Sequence, residues 1–423
     1  MSAESPLTNE NIICFAGEDW WYHNPHSNLH LMKTFAKKNR VLFVNSIGVR
    51  TPNLKKDLFA WKRILNKLRS LARYFRKTSD GVFVLTPVAL PLLPGFERAV
   101  VRLNTWLLVI QIRVISALLG FHRPIIWAAL ATIRDAACFL RRSFGKCLVY
   151  YCVDNISKYE GANAEYISQL DVSLQQQADI AFFVNRDMVA ERRIYNPRTF
   201  HLGHGVDYDH FARVQDATTP LPEDLRDIPR PIVGNVGVLR LLDLELIRYL
   251  AERHPEVSFV FVGDMYMDVS RLRPLKNIYL LGKRPYESLP SYMKAFACCG
   301  MFYDLRNAFI QYSNPKKLME YLATGKPVVS VAIPEVERVT DLIRLAKTYE
   351  EYERHLLDAV RDDYAEGCRE RMAFAARHTW EEVAQRATAH ITSFLNGEEA
   401  PPYDQADTTI AASEASLGWH TPP

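Results

Sequence analysis

No stretch of this 423-residue sequence comes near the roughly 20 consecutive apolar residues of a membrane-spanning helix; the longest apolar-rich runs, such as residues 107–112, stop far short. The opening MSAESPLTNE has neither the basic start nor the apolar centre of a secretion signal, which gives the cytoplasm as the expected compartment. There are seven cysteines, an odd number, and none at Cys-x-x-Cys spacing, so neither a disulfide framework nor a zinc site is expected. Cys298 and Cys299 stand side by side in an apolar segment and read as small buried residues. His23, His26 and His30 have no carboxylate or cysteine at ligand spacing, and no metal is expected. A nucleic-acid motif is also missing, which argues against a nucleic-acid partner.

What is present suits a large soluble core. Hydrophobic residues make up 48% of the chain, enough for two domains. The net charge of +4 hides an asymmetry: residues 1–210 hold 27 Lys and Arg against 17 Asp and Glu, and the remainder 25 against 31. A basic first half suggests an anionic surface as its partner.

Short β-rich runs recur at 12–16, 41–45, 82–86, 125–127, 148–153, 180–184 and 200–202, with helical stretches between them. A second series follows at 232–236, 259–262, 278–281, 301–303 and 328–331. This alternation predicts an α/β class chain with two largely parallel sheets, hence two Rossmann-like domains. The proline-rich, acidic segment 216–231 reads as the linker between them. Expected bounds are 1–215, joined by a helix over 376–396, then 216–375, then a disordered tail over 397–423 whose composition is rich in Pro, Ala, Ser and Thr.

The densest motif is NPKKLMEYLATGKPVVS, residues 314–330. Asn314 suits an N-cap, Pro315 the first helical position, and Gly325 the left-handed residue that ends a helix, so a helix is expected over about 315–324. Leu318, Met319, Leu322 and Ala323 form its apolar stripe; Lys317 and Glu320 share another face with Ser313. A helix N-terminus beside a lysine attracts anions. Val328–Val331 then reads as a buried parallel strand.

This pattern, P-x-K-x-x-E-Y-x-A-x-G-x-P-V-V, resembles the nucleotide-binding element of GT-B glycosyltransferases of the family 4, group 1 type. The resemblance implies two Rossmann-like domains facing across a cleft and a C-terminal helix that returns to the first. It implies a nucleotide diphosphate sugar as donor substrate without a further cofactor, and a ribose contact at Glu320. That group's second glutamate, eight residues upstream, is Tyr312 here. Asp154, in YYCVDNISKY, and Gly203–Asp207, in FHLGHGVD, are similar to the pattern of the membrane-associated glucuronosyltransferase of xanthan-type polysaccharide assembly. That likeness implies Asp154 as the catalytic base and puts the G-H-G turn, with His204, near the domain junction. From the residues alone, an N-cap at Asp154 and a purely structural GHGVD loop stay open.

Around that frame, Gly237 in GNVG ends the first strand of the second domain and could let backbone approach a phosphate; Arg240, Lys283 and Arg284 follow strands of the same domain and could neutralise a diphosphate. Ser313 and Asn314 complete the expected donor site. Gly17, Trp20, His23, His26 and His204 are the expected acceptor site. Residues 55–77 carry nine Lys and Arg, one Asp and an interleaved apolar set, a basic amphipathic helix fit for an anionic membrane surface; the apolar stretch 100–121 could lie beside it. Together these give a hexosyltransferase acting on a lipid-linked or polysaccharide acceptor in envelope or exopolysaccharide assembly, peripheral on the inner face of the membrane. A sugar-nucleotide epimerase of the same fold, and a non-catalytic sugar-nucleotide or lipid-binding regulator, stay open.

Overall fold

The computed structural model describes residues 7–22, 25–46, 69–91, 95–155, 164–361 and 365–400. It divides into two compact units: Met1–Gly203 with Ala384–Pro423, and His204–Val383. Both boundaries differ from the expected ones. Residues 204–215 and 376–383 count with the second unit, and the expected linker 216–231 lies inside it. Proline and acidic residues made that segment look solvated. In the structure Leu225 and Ile228 are buried, the Lys294 ammonium donates to the carbonyls of Asp216, Ala217 and Thr219, and Arg284 pairs with Asp224 at 2.7 Å.

In the first unit, β1 (Asn11–Phe15), β2 (Arg40–Val44), β3 (Phe75–Lys77), β4 (Phe83–Leu85), β5 (Ile125–Ala128), β6 (Cys147–Cys152), β7 (Ile180–Phe183) and β8 (Thr199–His201) form one sheet in the order β3-β4-β2-β1-β5-β6-β7-β8. Every pairing is parallel except β3 with β4. The central strands are buried along almost their whole length, which is why the sequence shows continuous apolar runs there rather than alternation. The β3 edge is a correction. Phe75–Lys77 was expected to close the amphipathic helix over 55–77, but it pairs with β4, where Phe75 stacks on Phe83 and the Lys77 ammonium lies 5.3 Å from the Phe83 ring. Residues 55–68 of that predicted helix lie outside the described residues. The apolar stretch after residue 96 forms a helix over Glu97–Leu118.

In the second unit, β9 (Ile232–Val236), β10 (Ser258–Val262), β11 (Ile278–Gly282), β12 (Cys298–Met301), β13 (Val328–Val331) and β14 (Arg344–Ala346) make an all-parallel sheet in the order β11-β10-β9-β12-β13-β14. Strand β12 sits three residues earlier than the 301–303 read from sequence, because Cys298 and Cys299, buried side by side, belong to the strand. Burial pushes the Cys298 thiol up to about 12 and raises Cys299 further, so both are inert core residues. The order of each sheet reverses once, between β1 and β5 and between β9 and β12. Those are the topological switch points at which open α/β sheets hold ligands.

The last helix, Trp380–Leu395, starts in the second unit and passes to the first from Ala384. There His390 stacks on Phe200 at 3.9 Å. At its start, Trp380 fills the space over Gly205, where a Cβ would come within 2.8 Å of the indole, and the Val206 N–H donates to His378. The second glycine of G-H-G is therefore required by packing on Trp380.

Candidate functional site in the second unit

The switch point of the second unit is built around two glycines. Gly237 follows β9 with φ +122°, and Gly263 follows β10 with φ +158°. A Cβ on Gly263 would lie 1.8 Å from the Gly237 carbonyl oxygen, so any side chain at 263 forces the loops apart. Gly263 escaped the sequence reading, although Val262-Gly263 repeats the Val236-Gly237 pattern one strand away. The expected role of the Gly237 turn also changes. Its N–H donates to Val262 at 2.9 Å and is not offered to a ligand; a Cβ at 237 would instead stand 3.3 Å from Lys317 Cε and Nζ.

Lys317 is the polar centre of this turn. Its ammonium donates to Asn235 Oδ1 at 3.4 Å and lies 5.1 Å from the Tyr303 ring. The Asn235 amide is oriented by its own donation to the Gly300 carbonyl at 2.8 Å. Burial pulls the Lys317 pKa down to about 8, against a small opposing effect of Glu320. A cation this poorly solvated is poised for an anionic ligand.

The helix that carries it runs Lys317–Ala323, with Thr324 as its C-cap and Gly325 at φ +73°. Asn314 is not its N-cap: Lys316 occupies that position without a side-chain cap. Tyr321, not Met319, joins Leu318, Leu322 and Ala323 in the core, and its hydroxyl accepts from the Val236 N–H at 2.8 Å. That bond ties the helix to the strand before the glycine turn. Glu320 is buried as well, and its partner is Lys316 at 2.5 Å. Spacing allows both (i, i+3) and (i, i+4) pairs. Asn235 and Tyr303 draw Lys317 the other way, leaving Glu320 to Lys316.

His204 belongs to this cluster too, which corrects its assignment to the acceptor half. It is buried in the second unit, bonded to the backbone of Asn314. Burial first, then the Lys316 charge, lower its pKa to about 3. The imidazole is neutral in the folded state down to that pH. Because an unfolded histidine titrates near 6.5, the unfolded chain binds more protons between the two values, and the contribution of His204 to stability is complete above 6.5 and lost as pH falls toward 3. The urea midpoint should therefore drop on going from pH 7 to pH 5 by the equivalent of about 2 kcal/mol from this group. His204→Gln should flatten that slope; an unchanged slope would remove His204 as its source. Tyr286, stacked on His210 at 4.6 Å, lies 5.9 Å from the Lys316 ammonium; burial, then Glu320 and Asp207, raise its pKa, so it stays a neutral hydroxyl.

The other expected donor residues are less engaged. Arg284 is committed to Asp224 and to the Tyr292 hydroxyl, each at 2.7 Å, so it anchors the 216–231 segment. Lys283 and Arg240 are exposed after β11 and β9. The Ser313 hydroxyl donates to the Phe309 carbonyl at 3.1 Å. The residues that sequence reasoning missed, Asn235, Gly263, Tyr286, Tyr303 and Lys316, are contributed by five different stretches of the chain.

In the first unit, Asp154 follows β6 with an exposed side chain, and its carbonyl accepts from the Cys152 thiol at 3.4 Å. The segment that the capping alternative concerns, residues 156–163, lies outside the described residues. Gly17 does not have positive φ; a Cβ there would touch Leu130 at 3.2 Å. Trp20 is half-buried, edge-on to Phe43 at 4.9 Å, and its backbone N–H donates to Asn45 Oδ1. His26 is exposed before the helix Ser27–Ala36, and His23 lies outside the described residues. A cavity of about 80 Å³ lies at the β1/β5 switch point, lined by Ala16, Asn45, Ser46, Thr132, Leu90 and Val101 among others, and none of Gly17, Trp20 and His26 borders it.

Comparison with solved structures places this two-unit architecture. Sucrose-phosphate synthase from Thermosynechococcus elongatus superposes with a TM-score of 0.67 at 16% identity, covering 92% of this chain and 100% of that one. The fold is GT-B. A trehalose-6-phosphate structure from E. coli bound with UDP-2-fluoro glucose (TM-score 0.61, 11% identity, 93% and 100% covered) and the catalytic domain of starch synthase IV from Arabidopsis thaliana bound to ADP and acarbose (0.59, 11%, 93% and 100%) share this GT-B arrangement of two Rossmann-like domains. No family model matches the sequence. A protein of Bacillus subtilis (strain 168), provisionally named a teichuronic acid biosynthesis glycosyltransferase, TuaH, is 30% identical over 141 residues, which span 32% of this chain and 35% of that protein.

Proposed function

We propose that this GT-B protein is a glycosyltransferase that moves a hexose-type residue from a nucleotide diphosphate sugar onto a lipid-linked acceptor in envelope or exopolysaccharide assembly. The observation that carries the reading is the half-buried Lys317 ammonium beside the Gly237–Gly263 turn, one helical turn from the Glu320 carboxylate. A diphosphate needs a desolvated cation and room for its oxygens; a ribose needs a carboxylate acceptor. UDP-2-fluoro glucose and ADP in two of the similar structures support a nucleoside diphosphate as the ligand class. The provisional name of the Bacillus relative supports a cell-wall glycan as the product.

In this reading the second unit binds donor and the first binds acceptor. The acceptor hydroxyl oxygen bonds to the anomeric carbon of the sugar, the bond from that carbon to the phosphate oxygen breaks, and the nucleoside diphosphate leaves. Asp154 takes the acceptor proton, and Lys317 balances the charge that grows on the leaving group. No metal is assigned a part. Residues 55–77 would hold the protein to the inner, anionic face of the membrane.

A panel of nucleotide sugars read by thermal shift tests the donor claim: the true donor raises the melting temperature in proportion to its occupancy. Radiolabelled donor with membrane extract then tests transfer. Conversion of the sugar nucleotide without any acceptor would make the protein an epimerase and sink this reading.

A further inference from the structure

Although its apolar runs are interrupted, the helix Glu97–Leu118 is, contrary to the sequence expectation, long and apolar enough to cross a bilayer by length and composition alone, yet it packs on its own unit. Val100, Leu108, Val109, Ile112, Ile115 and Ser116 are buried beneath it. Its opposite face is bare. Leu103, Trp106 (53% exposed), Ile110 (55%), Val114 and Leu118 (78%) recur at three- and four-residue spacing and form one outward stripe, and Phe139 of the neighbouring helix extends it through an edge contact with Trp106 at 5.0 Å. A monomeric soluble protein rarely leaves so continuous an apolar strip in water.

Charge identifies what covers it. The only acidic residue on the helix is Glu97, at its first position, whereas Arg98, Arg102 and Arg113 fall along one flank of the stripe and are exposed. Arg113 lies over the Phe144 ring at 4.3 Å, its charge held beside the apolar strip. A row of arginines beside a stripe with a tryptophan matches an anionic lipid interface, where apolar side chains sink below the headgroups and guanidinium groups reach phosphate.

The same helix borders the cavity at the β1/β5 switch point through Val101, Asn104, Thr105 and Leu108. Asn104 and Gln111, two turns apart, each bond both to a backbone N–H and to a carbonyl of the 88–90 segment, which straps Leu90 alongside the helix at the cavity rim. The cavity lining is part apolar, from Leu90, Val101 and Leu108, and part polar, from Asn45, Ser46 and Thr132.

The geometry points to the outward face of helix Glu97–Leu118 as a bilayer-docking surface that sinks into an anionic leaflet. The helix lies in the interface and does not span it, because its face with Leu108, Ile112 and Ile115 is buried against its own unit. This docking stands whether or not the protein transfers a sugar.

The test uses the full chain with phosphatidylcholine vesicles, with and without phosphatidylglycerol. Wild type should sediment with the anionic vesicles and be released by an alkaline carbonate wash; retention through that wash would overturn docking in favour of a span. The double variant I110E/V114E, at exposed positions where the fold tolerates charge, should lose at least about tenfold in vesicle affinity with an unchanged melting temperature. Arg102→Gln should weaken binding at low salt only. With seven tryptophans in the chain, the depth reading comes from the difference between wild type and Trp106→Phe: lipid-borne quenchers should lose most of their effect in the variant. Undiminished vesicle binding by I110E/V114E would overturn the proposal, and so would a wild-type dimer that this variant dissociates without any vesicle binding. Donor-induced thermal shifts should be equal in all these variants, so failure of donor binding and failure of docking are read separately.

Discussion

Asp154→Asn should lower glycosyl transfer by about 10²–10⁴-fold while leaving donor binding and the melting temperature as they are. The substitution keeps the volume of the side chain and removes its capacity to take a proton. Asp154 is exposed after β6, and its backbone carbonyl, which accepts from the Cys152 thiol, is untouched by the change. Single-turnover transfer with labelled donor measures the chemical step, and thermal shift with donor measures binding. Normal turnover by the variant removes Asp154 from the role of base. A loss of melting temperature of several degrees would instead show that the carboxylate caps the segment that follows it.

Lys317→Met is the second, and its two effects have opposite signs. In the absence of ligand the half-buried ammonium is a burden on the fold, because its pKa is about 8 in the native state and 10.5 in the unfolded chain. A depressed lysine pKa means the unfolded chain binds the extra proton below 10.5, so the apo protein should gain stability as pH rises from about 8 toward 10.5, and the methionine variant should be more stable than wild type at pH 7 by up to about 3 kcal/mol. Donor binding should fall in the same variant by about 10- to 150-fold, the equivalent of one hydrogen bond to a charged group. For wild type, donor affinity should also decline above pH 8 as the free lysine deprotonates, and this limb should be absent in the variant. Calorimetric titration with the donor across pH 7 to 9.5 checks both. A variant that is stabilised but binds donor as wild type does would show that the ammonium faces something other than the diphosphate.

Much of the scaffold for these effects can be read along the chain. The alternation of short apolar runs with helical stretches locates all but two of the strands to within a few residues, and the C-terminal helix falls at Trp380–Leu395 as expected. The two strands missed, β3 and β14, are three-residue edge strands whose pairing depends on a neighbour already in place. The segment 216–231 and residue His204 were misplaced for a common reason. Composition describes whether a stretch tolerates water, but not whether Lys294, Arg284 or the Asn314 backbone will be there to satisfy its polar groups once it is buried.

By itself the sequence determined periodicity and local chemistry: two parallel α/β units, a helix ended by Gly325, and Lys317 and Glu320 upon it, because burial pattern and capping act over a few residues. Tertiary structure decided the partners. Lys317 turns to Asn235, 82 residues away, Glu320 takes Lys316, and Gly263 is obligatory only because the Gly237 carbonyl crosses it. These choices depend on which strand ends are brought side by side at a switch point, and such contacts between distant residues leave no periodic trace along the chain.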